Sequence, residues 1–253
     1  MNHKKIIVNV HIEKTAGTSL LKFFEHTVGK DRVAFYDPIT DSLTRISDLP
    51  ISPSSDFVDK FQLKSYAFWP VLKQAYYSVY SQRNNQSVAK NHIAIVHGHF
   101  TANRFDKTFP EMLQTVVIRD PLKRMHSQYD HWKRSKGRSQ WRVMVPYDEK
   151  MTFEEYAILP AMRNYQMQAL AGRELGSFSL VGVTERLEEY TKALYQLLLS
   201  EGFITSNVSL QTVEKMNQHK KNHQVKSSNF EKDFRTFHKD DYDLYKQAKS
   251  LAK

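Results

Sequence analysis

Residues 11–19 read His-Ile-Glu-Lys-Thr-Ala-Gly-Thr-Ser, and this short stretch decides the fold class. It follows an apolar run at residues 6–10 and precedes a second apolar run at residues 20–24. A strand, then a small-residue loop with one lysine, then a helix is the layout that cradles phosphate groups. The lysine stands before the glycine, so the loop differs from the G-x-x-x-x-G-K-[ST] loop of nucleotide hydrolases.

The loop contains several candidates for holding an anion. Lys14 supplies a point charge for an anionic leaving group, and Gly17 permits close approach of the backbone. The other candidates offer backbone N–H groups or hydroxyls at the start of the helix; they are Thr15, Ala16, Thr18 and Ser19. The alternative is an ordinary strand–turn–helix with an incidental lysine.

Two later segments also follow apolar runs typical of buried strands. Residues 93–96 lead into His97 and His99, and residues 115–118 lead into Arg119. In parallel sheets the ligand lies at the carboxyl ends of the strands. We therefore expect all three segments to line one crevice.

The residue types in these segments suggest two kinds of chemistry. A histidine such as His97 or His99, at a strand end beside a phosphate loop, is a candidate general base; a hydrogen-bonded structural histidine is the alternative. Their spacing is not that of a helical metal pair and no carboxylate lies nearby, so we predict no metal site. Arg119 and Ser127, about two helical turns further on, could grip a second phosphate, whereas a salt bridge and a surface serine form the alternative.

Strands alternate with helices along the chain, which predicts an α/β fold: a P-loop-like parallel β-sheet core flanked by helices. We expect one domain over residues 1–253, with a variable excursion at about residues 37–90 that begins as a loop at 37–56. The predicted helices lie at residues 17–28, 71–80, 121–136, 152–172, 184–199 and 231–252, with Asp120 and Thr184 as caps.

Composition narrows the class of protein. The 253 residues carry a formal charge of +10, which suits nucleic acid, an acidic membrane surface or a polyanionic small molecule or glycan. The absence of cysteine excludes disulfides, thiolate metal sites and a cysteine nucleophile. No run approaches the ~18 apolar residues of a membrane helix, and residues 6–10 favour a first strand over a signal peptide. We therefore expect a cytoplasmic protein.

Together these segments resemble the sulfotransferase superfamily that uses PAPS (3′-phosphoadenosine-5′-phosphosulfate). The likeness is greatest to the carbohydrate branch that includes heparan 2-O-sulfotransferases and their bacterial relatives. Residues 11–19 look like that family's 5′-phosphosulfate loop, and residues 117–129 look like its 3′-phosphate segment, with Arg119 and Ser127 on matching positions. Residues 97–100 resemble the segment that carries the acceptor-activating histidine.

The resemblance, which spans roughly residues 6–190, implies a reaction as well as a fold. An acceptor hydroxyl, on a glycan in this branch, would attack the sulfur of PAPS, and PAP (3′,5′-bisphosphoadenosine) would leave. His99 would take the hydroxyl proton, Lys14 would stabilise the charge on the bridging oxygen, and His97 would orient His99 or contact the acceptor. No metal is required and no nucleic-acid partner is implied.

The sequence departs from the family pattern in three places. Many relatives have proline where Glu13 stands, and we expect this carboxylate to point away from the loop or to meet Lys14. Residues 40–90 match no segment that we can place. Since such segments help select the acceptor in this family, the resemblance implies that the excursion at residues 37–90 lies on the acceptor side. The third place is the segment that covers the 3′ end of the cofactor in the family, for which we find no matching motif; Lys220 and Lys221 are the candidates for this role.

Two other functions compete with this one. The first is an ATP-dependent small-molecule kinase with a variant phosphate loop, which would need a carboxylate such as Asp120 to hold Mg²⁺. The second is a non-enzymatic protein that binds nucleic acid or another polyanion through its basic segments at residues 133–142 and 215–226.

Overall fold

The computed structural model describes residues 5–37, 42–48, 93–137, 145–209 and 228–252. Within these ranges the chain forms six strands and seven α-helices. The strands are β1 (Ile7–Val10), β2 (Val33–Asp37), β3 (Ser42–Arg45), β4 (Ile95–Gly98), β5 (Leu113–Ile118) and β6 (Leu180–Val183). The helices are α1 (Gly17–Val28), α2 (Pro121–Ser135), α3 (Phe153–Ala157), α4 (Tyr165–Leu170), α5 (Leu187–Ser200), α6 (Ser228–Phe237) and α7 (Lys239–Leu251).

The six strands form one sheet in the order β3-β2-β4-β1-β5-β6. Only β3, at the edge, runs antiparallel to its neighbour among these strands. The residues of β1 and β4 are all buried, which agrees with the mainly apolar runs at residues 6–10 and 93–96 of the sequence. The predicted α/β fold with a parallel sheet is confirmed.

Strand β1 lies in the middle of the sheet, between β4 and β5. Val10, its last residue, is level with Gly98 of β4 and Val116 of β5. The chain runs from β1 to β2 on one side and continues to β5 and β6 on the other. The ends of β4, β1 and β5 therefore meet at a point where the strand order reverses, which is where α/β sheets bind ligands.

Helices cover both faces of the sheet. On one face α1 and α5 pack through residues such as Phe24 and Leu194, and on the other α4 and α7 pack through Leu170 and Leu244. A third apolar cluster joins α2, α3 and α6 around the fully buried Trp132. In the described part of the chain, no helix is both long and apolar enough to cross a membrane.

Several predicted elements differ from the structure. The helix predicted at 152–172 is two helices, because Pro160 has no N–H for a continuous helix and starts a 3₁₀ turn instead. Thr184 does not cap α5: it lies in a 3₁₀ turn, and its hydroxyl donates to Glu185 at 3.1 Å. The closing helix breaks at His238 into α6 and α7.

Strands β2 and β3 were not predicted, and β3 lies inside the segment 37–56 that we interpreted as a loop. The helix expected near residues 71–80 lies outside the described residues, as does the excursion from residue 49 onward.

Candidate active site

The loop between β1 and α1 has a strained backbone. Lys14 and Ala16 adopt left-handed conformations, with φ of 69° and 71°, at a cost of roughly 1–2 kcal/mol for each non-glycine residue. The Thr15 hydroxyl donates to the Ile12 carbonyl at 2.8 Å and closes the turn. Residues with strained conformations of this kind are common at ligand sites, and left-handed residues are a feature of the backbone nests that bind anions.

Helix α1 starts with its first backbone N–H groups uncapped by any side chain and with no acidic residue in its first turn. Such a start favours an anion through the helix dipole and its N–H groups. Thr18 is exposed there and Ser19 is buried, whereas the Thr15 hydroxyl is already bonded within the loop.

Glycine is required at position 17 by the packing of a neighbouring side chain. A Cβ atom built there would lie 1.8 Å from the imidazole of His11. The close approach at Gly17 is therefore to a histidine ring of the same loop.

Arg119 lies one residue beyond β5 and contacts the loop directly. Its Nη1 donates to the Lys14 carbonyl at 3.0 Å. Asp120 caps α2 as predicted, because its carboxylate accepts from the Lys123 N–H at 2.9 Å. Ser127 lies on α2, half-buried. The structure thus joins the two segments in which the sequence predicted phosphate-binding residues.

Positive charge is concentrated and partly desolvated at this edge of the sheet. Burial lowers the pKa of Lys14, and the positive charges of Arg134, Arg119 and Arg124 lower it further, while Glu13 acts in the opposite direction. Burial also lowers the pKa of Arg119. When a buried side chain has a lowered pKa for this reason, a bound anion stabilises its charged form, so the site favours an anionic ligand.

Glu13 points away from the loop into the protein. Its Oε2 accepts a hydrogen bond from the Tyr165 hydroxyl at 2.8 Å and one from Gln128 Nε2 at 3.2 Å. Beneath it lies Arg124, which is 1% exposed, with its guanidinium carbon 4.6 Å from the centre of the Tyr165 ring. None of the three guanidinium nitrogens of Arg124 has a hydrogen-bond partner among the described residues. The Glu13 carboxylate is therefore held by Tyr165 and Gln128, and its effect on the pKa of Lys14 is smaller than that of burial.

His97 lies within β4, in the interior of the sheet, and is 1% exposed. Its Nδ1 donates to Asn9 Oδ1 at 2.7 Å, and the Asn9 amide donates in turn to the Thr115 hydroxyl at 2.8 Å. Burial lowers the pKa of His97 to about 3, so the ring is neutral at neutral pH. This position suits a residue that supports the strand ends.

His99 lies just beyond β4 and is half-buried. Its Nδ1 is 3.0 Å from the His11 carbonyl, which only accepts, so Nδ1 carries the proton and the neutral ring has its lone pair on Nε2. The His11 ring stacks between His99 and His97, with ring centres 4.2 Å and 4.9 Å apart. The tautomer of His99 is the one a general base needs at Nε2.

Three residues of this arrangement were not singled out from the sequence. His11 begins the phosphate loop, so its position was a usable signal. Arg124 lies between Arg119 and Ser127, but a fully buried arginine cannot be told from a surface one by sequence. Gln166, which bonds the Arg119 backbone 47 residues away, left no local signal.

Lys220 and Lys221 lie outside the described residues, so their predicted contact with the cofactor stays a prediction. Within the described ranges no group of three or more His, Asp or Glu side chains is arranged to hold a metal ion.

Acidification from pH 7.5 to 5.5 should lower the free energy of unfolding by at least about 3 kcal/mol, because burial lowers the pKa of His97, of His238 and also of His11. Burial lowers the folded-state pKa of His97 to about 3 and that of His238 to about 4, from an ordinary value of 6.5. Below pH ~6.5 the unfolded chain binds protons that the folded chain excludes, so stability is lost as the pH falls. Denaturant unfolding at each pH measures the slope.

A His238→Gln variant isolates the contribution of this one histidine. His238 Nε2 donates to the Ala157 carbonyl at 2.9 Å and Nδ1 accepts from the Asn164 N–H at 3.3 Å, so a second proton would break the latter bond. The variant should lose about 1.4 kcal/mol of the wild-type change in the free energy of unfolding between pH 7.5 and 5.5, whereas the exposed His26→Gln should keep all of that change. An unchanged slope in His238→Gln would contradict the assignment.

No protein-family model and no curated protein matches the chain. A solved structure similar to it is a sulfotransferase from Alicyclobacillus acidocaldarius, with a TM-score of 0.49 and 14% identity over 96% of both chains. Retinol dehydratase in complex with retinol and PAP is 13% identical, with a TM-score of 0.42 over 99% of this chain and 80% of that one. Retinol dehydratase in complex with androsterone and inactive cofactor PAP is 12% identical, with a TM-score of 0.40 over 98% of this chain and 81% of that one. Likenesses at this level do not decide the activity of the chain.

Proposed function

We propose that this protein is a sulfotransferase that moves the sulfuryl group from PAPS to an acceptor hydroxyl. The observation that carries the proposal is the hydrogen bond from Arg119 Nη1 to the Lys14 carbonyl. It joins two candidate phosphate-binding residues that are 105 positions apart in the chain. A nucleotide with phosphate groups at both its 5′ and its 3′ positions is the ligand class that would use both residues at once.

The chemistry of the site fits such a ligand. The 5′-phosphosulfate would lie on the loop at residues 14–19 and the uncapped start of α1, and the 3′-phosphate would lie on Arg119 and Ser127. Lys14 and Arg119 are partly desolvated cations, which an anion would stabilise. Arg124, buried and without hydrogen-bond partners among the described residues, adds positive potential beneath them.

The reaction would be an in-line displacement at sulfur. The acceptor oxygen forms the new O–S bond, the bond from sulfur to the bridging oxygen breaks, and PAP leaves with that electron pair. His99 Nε2 takes the acceptor's proton, while Lys14 stabilises the negative charge that grows on the bridging oxygen. As in phosphoryl transfer, positioning and electrostatic stabilisation do most of the catalysis.

His97 has a different role in this scheme. Its ring is bonded to Asn9 inside the sheet and stacks on His11, whose carbonyl holds the proton-bearing nitrogen of His99. We assign His97 to positioning and His99 to proton transfer.

The kinase alternative has less support, because the Asp120 carboxylate is used to cap α2. The acceptor class stays a prediction: the family resemblance and the charge of +10 favour a hydroxyl on a glycan. A screen of glycans, lipids and phenols with labelled PAPS tests it.

Thermal unfolding with added nucleotides tests the proposal. PAP at 100 times its dissociation constant should add about 2.7 kcal/mol of stability, which raises Tm by about 5–10 °C in a chain of this size. Arg119→Ala should remove most of this shift. Arg173→Ala should retain it, because Arg173 pairs with Asp106 near Gln114, at the opposite end of β5. A larger shift with ATP and Mg²⁺ than with PAP, or none with PAP, would overturn the proposal.

A further inference from the structure

We propose that Gln166 is a positioning residue that holds Arg119 in place for the 3′-phosphate. This inference rests on the proposed function. Gln166 is the second residue of α4, and it is 0% exposed, so its side chain cannot itself contact a ligand from solvent.

One amide side chain satisfies both backbone groups of Arg119. The Arg119 N–H donates to Gln166 Oε1 at 2.9 Å, and Gln166 Nε2 donates to the Arg119 carbonyl at 2.9 Å. The last strand residue before it, Ile118, is still level with Val183 of β6. Gln166 therefore acts on Arg119 as a neighbouring strand would, one residue beyond the end of β5.

Gln166 is itself held from a third element. Asp241, buried on α7, accepts the Gln166 N–H through Oδ2 at 3.2 Å and the Met167 N–H through Oδ1 at 2.8 Å. This carboxylate satisfies backbone N–H groups at the start of α4 and fixes the backbone from which the amide extends. A continuous set of hydrogen bonds thus runs from α7 through Gln166 to Arg119 and on to the Lys14 carbonyl.

The position of the Arg119 guanidinium therefore depends on the position of the Arg119 backbone, which Gln166 holds. If the Arg119 backbone moves, its guanidinium loses alignment with both the Lys14 carbonyl and a phosphate oxygen. Small misplacements of a binding group are costly in such sites. Loss of a supporting residue around a bound metal typically weakens binding 10–100-fold, and we expect about the lower figure here.

Gln166→Met tests the proposal, since it keeps the length of the side chain and removes both hydrogen bonds. Gln168→Met is the matched control: it makes the same change on the same helix, at an exposed residue whose side chain donates to the Arg163 carbonyl at 2.7 Å and not to Arg119. Titration calorimetry with PAP and with adenosine 5′-phosphate, which lacks the 3′-phosphate, gives the readout. Gln166→Met should bind PAP about 10-fold more weakly and adenosine 5′-phosphate as the wild type does, while Gln168→Met should match the wild type with both ligands.

Two further variants separate positioning from general loosening of the fold. In an Arg119→Ala background, adding Gln166→Met should change PAP affinity no further, because the group it positions is gone. Gln166→Glu keeps the acceptor for the Arg119 N–H, loses the donor, and should give an intermediate affinity. It also provides the test if Gln166→Met does not fold.

The outcomes distinguish this inference from the proposed function. A wild-type protein that does not bind PAP would overturn both. If the wild type binds PAP, the positioning role is wrong when Gln166→Met binds PAP normally, or weakens both nucleotides equally, or adds its full effect to Arg119→Ala. Each of these three results leaves the proposed function standing.

Discussion

Replacing His99 by alanine should lower the rate of sulfuryl transfer about 10²–10⁴-fold and leave PAP affinity unchanged. The hydrogen bond from Nδ1 to the His11 carbonyl keeps the lone pair of the neutral ring on Nε2, the nitrogen assigned to the acceptor's proton. Single-turnover transfer from labelled PAPS measures the loss, and calorimetry with PAP shows whether the nucleotide site is intact. In the wild type, kcat/KM should decline at acidic pH as the general base becomes protonated, and this decline should be absent in His99→Ala.

Two histidine variants control this experiment. His26→Ala, at an exposed position of α1, should transfer at the wild-type rate. His97→Gln should lower the free energy of unfolding, since it disturbs the bond to Asn9, but it should retain the shape of the pH profile. Full activity in His99→Ala would show that another group accepts the acceptor's proton. If His97→Gln, and not His99→Ala, loses the decline of kcat/KM at acidic pH, then His97 is the base and His99 the positioning residue.

Replacing Lys14 by methionine should lower the transfer rate about 10²–10³-fold, the usual cost of removing one group that stabilises transition-state charge. The charge on the bridging oxygen grows as the bond to sulfur breaks, so the rate should fall more than PAP affinity. Lys22→Met, at an exposed position of α1, makes the same change in charge and should have no effect.

The pH dependence adds a second readout for Lys14. Burial lowers its pKa from the ordinary value of 10.5, so the charged amine is lost at a lower pH than in an exposed lysine. The kcat/KM of the wild type for PAPS, which reports the free protein, should therefore decline on the alkaline side, and the methionine variant should lack that decline. Wild-type turnover in Lys14→Met would remove this residue from the reaction.

Local features were predicted well from the sequence. The bounds of α1 at residues 17–28 agree with the prediction, and so does the Asp120 cap of α2. Both depend on interactions within a few residues. Helix α1 shows helical spacing of its apolar residues, and the Asp120 carboxylate accepts a hydrogen bond from the N–H three positions later. The buried strands β1 and β5 were recognised for a similar reason, because strands covered on both faces are mainly apolar.

Distant contacts were not predicted. The break at His238, whose ring bonds two other segments of the chain, depends on such contacts, and β3 is an edge strand without an apolar run. The break at Pro160 and the apolar strand β2, by contrast, had local signals that we missed. Gln166 could not be assigned at all, because an amide in a helix looks the same whether it faces solvent or replaces a strand partner of Arg119.

The sequence by itself determined the chemical groups and the local segments that carry them: a lysine in a small-residue loop, an arginine at one strand end, and a histidine pair at another. The tertiary structure decided which of them meet. It placed β1 between β4 and β5, turned Glu13 toward Tyr165, and buried His97 while leaving His99 at the edge. The reason is physical: local propensity acts over a few residues, whereas strand order and burial result from packing the whole sheet between its helices.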